Sequence, residues 1–524
     1  MVARQTQAKP LKGRGKLGKE IEIMGKKTKR KTGGKETGGN KTNAAPSMRE
    51  TEETFENLKF EDPFEDEFED NDMEIVDAKE GDDVDADGDV EGGDDAMGAK
   101  STSTSTSTSA APDAAAAAKQ AWMPGKKLEE NEVLEYDQSA YTMYHALKPE
   151  WPCLSFDIVR DDRGENRTRF PHTVLAVAGT QADTDAKNKL TLMKLSDLSQ
   201  TYKKSKGEDS DSEEDDEAID EDEDEGGRDD DPVLEHVNIP HFGGVNRVRT
   251  MPQQANIVAS HSSTGHVHIW DIKTHMDSLE RPGVALNNRA VQSYGGHKEE
   301  GYAMDWSPKS AGHFATGDCS GGIHLWQPKE GGRWDVVEGW NAGVSVEDIQ
   351  WSPTEPTVFA TGDCGKNVSI YDTRKKGKPM LQHQAHNTDV NVISWNGNVS
   401  NLLASGSDDG VFSVWDLRAW GKAPLARFTT HNTPITSLEW HPTDESMIVV
   451  SDEEAVFVYD LSVEEEVTQG GAAGGNGNGD IPPQLLFMHC GSQSNKEAHW
   501  HPQIPSLVMT TALTGFNVFI PSNL

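Results

Sequence analysis

The chain has 524 residues and a formal net charge of −39, with 89 acidic side chains against 50 basic ones. Such a surface repels phosphates, so the bulk of the protein is not built to bind nucleic acid. The four cysteines, Cys153, Cys319, Cys364 and Cys490, form no Cys-x-x-Cys pair, which excludes a disulfide framework and a thiolate zinc site.

Residues 1–121 read as a disordered tail whose composition cannot offset chain entropy. Its first 49 residues carry 14 basic and 3 acidic side chains. Within them Lys26, Lys27, Lys29, Arg30 and Lys31 form a basic run expected to act as a nuclear or nucleolar import signal. Residues 50–121 then carry a net charge of −20. Phe55, Phe60, Phe64 and Phe68 punctuate this acidic stretch, as scattered aromatics or as a segment that folds on a partner. Two near-motifs fail. Gly13 to Lys19 resembles a phosphate loop, but Glu20 stands where Ser or Thr is needed. Asp85, Asp87 and Asp89 resemble a calcium loop, but Val90 replaces its glycine. The Lys-rich start lacks the apolar segment of a secretory signal. No apolar run approaches the roughly 20 residues that span a bilayer, so a soluble intracellular protein is expected.

From about residue 150 one unit recurs. Short strands end in an aromatic at Trp326, Tyr371, Trp415 and Tyr459, spaced 45, 44 and 44 residues apart. A period of about 40 to 45 residues resembles the WD repeat, whose units are four-stranded blades. Six units end at Asp271, Trp326, Asp372, Asp416, Asp460 and Phe519. Residues 152–198 supply a further blade, which makes seven. The fold class is therefore all-β, a seven-bladed propeller over 122–524.

In WD proteins a His, a Ser or Thr, an Asp and a Trp form a hydrogen-bonded chain within the blade. His386, Ser405, Asp409 and Trp415 resemble that set, so these histidines are read as structural. Asp409–Gly410 supplies the tight turn. The last unit has only three strands before Leu524. Residues 139–147 are expected to donate the fourth, since an unfilled blade leaves an open edge.

Two insertions interrupt the ring, 199–232 and 462–484. Residues 208–231 hold 17 acidic residues and one Arg. The expected partner contacts are Asp211, Glu213, Glu214, Asp215 and Asp216 in the first insertion. In the second they are Glu464, Glu465, Glu466, Asp480, Pro482 and Pro483. Ser210 and Ser212 resemble acidophilic kinase sites. No catalytic motif occurs, so an enzyme is not expected, and neither a cofactor nor a small-molecule substrate.

Tyr136–Asp137, AYTMYHAL at 140–147 and PCLSFDIVRD at 152–161 resemble the start of the histone-chaperone WD proteins. Pro482–Pro483 and the following QLLFMH resemble their proline-proline loop. AGTQA at 178–182, GGVNRVR at 243–249, VEDIQWSPTE at 346–355, DVNVISW at 389–395 and AHWHPQ at 498–503 are similar to the glutamate-rich WD-repeat proteins of ribosome assembly. That resemblance implies a nuclear and nucleolar chaperone for a basic large-subunit ribosomal protein, of the L-three type, acting on pre-ribosomal particles. The alternatives are a histone chaperone on chromatin and a substrate receptor of a cullin ubiquitin ligase. The last rests on Trp415-Asp416-Leu417-Arg418 and Tyr371-Asp372-Thr373-Arg374, which resemble a Trp-Asp-x-Arg box. The histone binders carry a long helix before the first blade, and residues 119–135 leave little room for one.

Overall fold

The computed structural model describes residues 4–7, 120–121, 132–135, 137–201, 231–464 and 482–524. Arg4–Gln7 pairs antiparallel with both Gln120–Ala121 and Glu132–Glu135 in a small sheet. Residues 137–524 form seven antiparallel four-stranded sheets arranged as the blades of a propeller. The innermost strands are Cys153–Ile158, Val245–Thr250, Met304–Trp306, Val346–Trp351, Val390–Trp395, Ile435–Trp440 and Asn495–Trp500. Each touches the next, and the seventh touches the first, so the ring closes.

Burial follows from this stacking. A blade is covered on both faces by its neighbours, so its second strand is apolar or small throughout rather than alternating. Ile257–Ser262 is buried at all six positions, whereas the outer strand Leu381–Gln384 is largely exposed. The core lies between blades. One cluster joins Phe412 and Val414 of blade 5 to Leu438, Trp440, Val450 and Phe457 of blade 6. Burial of each such side chain contributes roughly 1.5–3 kcal/mol. The recurring glycine of the second strand has the same origin. A Cβ on Gly179 would come within 2.2 Å of Val245, and one on Gly406 within 2.5 Å of Ile435, each on the next blade.

The strand donation expected of 139–147 is present. Tyr141–Leu147 pairs antiparallel with Gly515–Pro521 and completes blade 7, while Gln138–Ala140 forms a 3-10 turn before it. Met143 is fully buried, and the Tyr141 hydroxyl lies 2.8 Å from His489 Nδ1. One element has no counterpart in the sequence reading: a short helix, Lys273–Glu280, between the third and fourth strands of blade 2.

Antiparallel order sorts the loops by face. First-to-second and third-to-fourth strand connections emerge on one face of the ring, and the remaining connections on the other. Both long insertions join a third strand to a fourth, in blades 1 and 6. They therefore share a face, with blade 7 between them, and the helix lies on that face too.

Candidate functional site

The inner strands carry two layers of side chains around the channel. One layer holds Asp157, Arg249, Asp305, Gln350, Ser394, Glu439 and His499, each just before the last residue of its strand. The other, two residues earlier, includes Ser155, Arg247, Asp348, Ser437 and Glu497. These groups stitch blade to blade by accepting backbone N–H groups of the next inner strand. Thr250 N donates to Asp157 (2.6 Å), Trp351 N to Asp305 (2.7 Å) and Ile393 N to Asp348 (3.0 Å). Trp395 N donates to Gln350, and Phe156 N to Glu497 (2.9 Å), which joins the last blade to the first.

An ion network crosses the same channel. Glu497 takes Arg247 at 2.5 Å and Arg249 at 3.2 Å, and His499 Nδ1 lies 2.5 Å from Glu439. Burial alone would raise the Glu497 carboxyl, but Arg249 and Arg247 hold it well below the usual range. Burial would lower His499, but Glu439 and Glu497 hold it up at about 10. Asp305 has no such cation at bonding distance, and burial pushes it up to about 8 against the Trp351 N–H. A cavity of about 380 Å³ opens beside these groups and reaches Arg160, His441 and Pro502. Sequence reasoning missed this network because its members lie up to 250 residues apart.

The blade histidines are buried and hydrogen-bonded. His386 Nε2 lies 2.7 Å from Ser405 Oγ, which also accepts from Trp415 Nε1 at 2.8 Å. Asp409 does not reach the imidazole; it accepts from Ser407 Oγ at 2.5 Å, and Ser407 contacts His386 Nδ1 at 2.9 Å. In blades 3 and 6 the Ser407 position is an aspartate that meets the histidine directly. His297 lies 2.9 Å from Asp318, and His431 3.0 Å from Asp452. All three pairs are 21 residues apart. Blade 4 breaks the rule. Asp363 is fully buried, but Ala342 stands 21 residues before it, and its Oδ2 has no partner.

Of the expected partner residues, Glu464, Pro482 and Pro483 are described, at the two ends of the blade 6 insertion. Those ends are tied together, since Gln484 Nε2 donates to Val463 O at 2.8 Å. The first insertion departs at Thr201, whose N–H donates to Thr142 O and whose hydroxyl accepts from Tyr144 N, both on the outer strand of blade 7. It returns into the outer strand of blade 1, Val233–Pro240. Asp211, Glu213, Glu214, Asp215, Asp216, Glu465, Glu466 and Asp480 lie outside the described residues, as do Ser210, Ser212 and the basic run from Lys26 to Lys31. Arg374 and Arg418 each fork onto their own Asp372 and Asp416 at 2.7 Å, with the guanidinium about three-quarters exposed.

Geometry and repeat thus define a WD-repeat propeller, and the WD domain, G-beta repeat family matches residues 377–416 and 422–460. Residues 131–199 match the family of the histone-binding protein RBBP4 and its counterpart in the CAF1 complex. Over 77% of its length the chain is 39% identical to ribosome assembly protein rrb1 of Schizosaccharomyces pombe, covering 85% of that protein. It is 42% identical to glutamate-rich WD repeat-containing protein 1 of Dictyostelium discoideum, covering 85%, and 40% identical to protein HEAT STRESS TOLERANT DWD 1 of Arabidopsis thaliana, covering 92%. The chain belongs to the family of glutamate-rich WD-repeat proteins.

Proposed function

We propose that this chain is a ribosome-assembly factor that carries a basic large-subunit ribosomal protein, of the L-three type, to pre-ribosomal particles in the nucleus and nucleolus. The observation that carries this reading is the placement of both acidic insertions on one face, on the blades that flank blade 7. A rigid ring then presents two anionic segments together. A ribosomal protein that binds RNA is rich in Lys and Arg, and off the ribosome it needs those charges covered. Complementary charge speeds its capture, most at low salt. The similarity to a protein named for ribosome assembly supports the same reading.

The test is binding of the purified client to the full chain and to chains lacking 202–230, 465–481 or both. Loss of affinity on deletion supports the loop assignment, and unchanged binding refutes it. A second reading, a histone chaperone, is favoured by the match of residues 131–199 to the histone-binding family.

A further inference from the structure

We infer that the first loop of blade 1 forms a binding site for a phosphomonoester, a phosphorylated serine or threonine side chain of a bound protein segment. This goes beyond the carrier reading and does not depend on it. The loop between Ile158 and His172 is an exception in an acidic protein, with Arg160, Arg163, Arg167 and Arg169 in ten residues. A cleft of about 440 Å³ lies against it, lined by Arg163, Asn166, Arg167, Thr168, Arg169 and His172, with Pro171 and Thr173. No carboxylate lines the cleft.

The decisive feature is a set of donors without acceptors. Arg167 Nε and Nη2 are buried and unpartnered; only Nη1 is used, by Asp161 at 2.9 Å. His501, 2% exposed, lies behind them. Its Nδ1 accepts from Gln503 N (3.0 Å) and Ile504 N (3.1 Å). The ring proton therefore sits on Nε2, which is buried and has no acceptor. Burial, with Arg167, His172 and Arg160 nearby, pushes His501 down to about 3, so the ring stays neutral with this one N–H. Buried donors left unmade are costly, and such a group asks for an explanation. Arg169 forms no ion pair with any described residue. Arg160 and Arg163 are engaged at their rims by Glu165 and Glu280.

The loop is also held in place. Gln503 of blade 7 accepts from Asp161 N, donates to Asp161 O, and accepts through its carbonyl from Arg167 N, each at 2.9 Å. The donors are fixed before a ligand arrives, which lowers the ordering cost of binding. The ligand they fit has several acceptor oxygens and a charge near −2. A monoester on a side chain reaches recessed donors. A polynucleotide presents its diesters along a strand, which the net charge of −39 repels.

The experiment titrates the full-length protein, in phosphate-free buffer at fixed ionic strength, with four probes. These are inorganic phosphate, O-phosphoserine, a serine peptide with and without its phosphate, and a short single-stranded RNA. Calorimetry and thermal melting read binding. The expected result is saturable phosphate and phosphoserine binding, with the phosphopeptide at least about tenfold tighter than its unmodified form. Arg167→Gln and the exposed Arg169→Gln each weaken it by about tenfold, the second without a change in melting temperature of the unliganded protein. The inference is overturned if phosphate shifts the melt no more than chloride does, or if neither arginine variant weakens binding. It is overturned equally if the RNA binds more tightly than the phosphopeptide.

Discussion

Glu497 on blade 7 holds Arg249 on blade 2, reaching across the end of blade 1 with 3.2 Å between carboxylate and guanidinium. The same carboxylate takes Arg247 and the Phe156 backbone N–H. One buried side chain thus ties together three blades at the place where the last meets the first.

Removing it should therefore cost more than a surface ion pair. Glu497→Ala leaves two guanidinium groups in the channel without a counter-charge. We expect a loss of ~3–5 kcal/mol, the range for breaking a buried pair by removing one partner. Urea denaturation checks this. A loss below ~1 kcal/mol, the scale of exposed pairs, contradicts the clasp.

The channel also predicts opposite pH trends from two of its acids. Glu497 is held below its unfolded pKa, so its contribution is present above about pH 4.3 and fades only as pH falls through the lower folded value. Asp305 is held up at about 8, so the folded state binds a proton that the unfolded state releases near pH 3.9. Stability attributable to Asp305 falls as pH rises from about 4 to about 8. Asp305→Asn keeps an acceptor for Trp351 N and removes the titration. Its stability relative to wild type should climb across that window, by at most ~1.4 kcal/mol per pH unit. A flat difference between pH 5 and pH 8 contradicts the shift.

Blade 4 offers a gain instead of a loss. Ala342→His places an imidazole 21 residues before Asp363, the spacing of three sister blades, where Oδ2 lacks a donor. The expected gain is ~1 kcal/mol, while His386→Ala, which strips Ser405 and Ser407 of a partner, should lose ~1–3 kcal/mol. Thermal melts of the two variants should move in opposite directions.

Blade 7 depends on its donated strand. A chain starting at residue 148 lacks Tyr141–Leu147 and exposes the edge of Gly515–Pro521. We expect it to aggregate or to lose its cooperative transition. A chain starting at residue 137 should retain that transition. Equal melting curves for the two would contradict the closure.

The repeat was legible because a blade is a local object. The spacing of Trp326, Tyr371, Trp415 and Tyr459 registers four blades without any long-range information, and the missing fourth strand of blade 7 follows by counting. The helix Lys273–Glu280 was hidden, since KTHMDSLE has two large apolar residues and no capping side chain. The Glu497 network was hidden for a different reason. It exists only once seven inner strands converge, and nothing near Glu497 in sequence announces Arg247. Asp409 was placed one contact too close to His386 because a turn aspartate and a strand-end hydroxyl two residues apart are alike in sequence. The acidic insertions were legible as composition, but their shared face follows only from strand order.

The claim on which the proposed function rests is that an acid-bearing ring holds a cationic ribosomal cargo. The direct measurement is a binding competition at physiological salt between the purified L-three-type ribosomal protein and core histones for the full-length chain. The account predicts that the ribosomal protein displaces histones, with an affinity that falls as salt is raised. Preferential retention of histones, or no binding of either at low ionic strength, would contradict it.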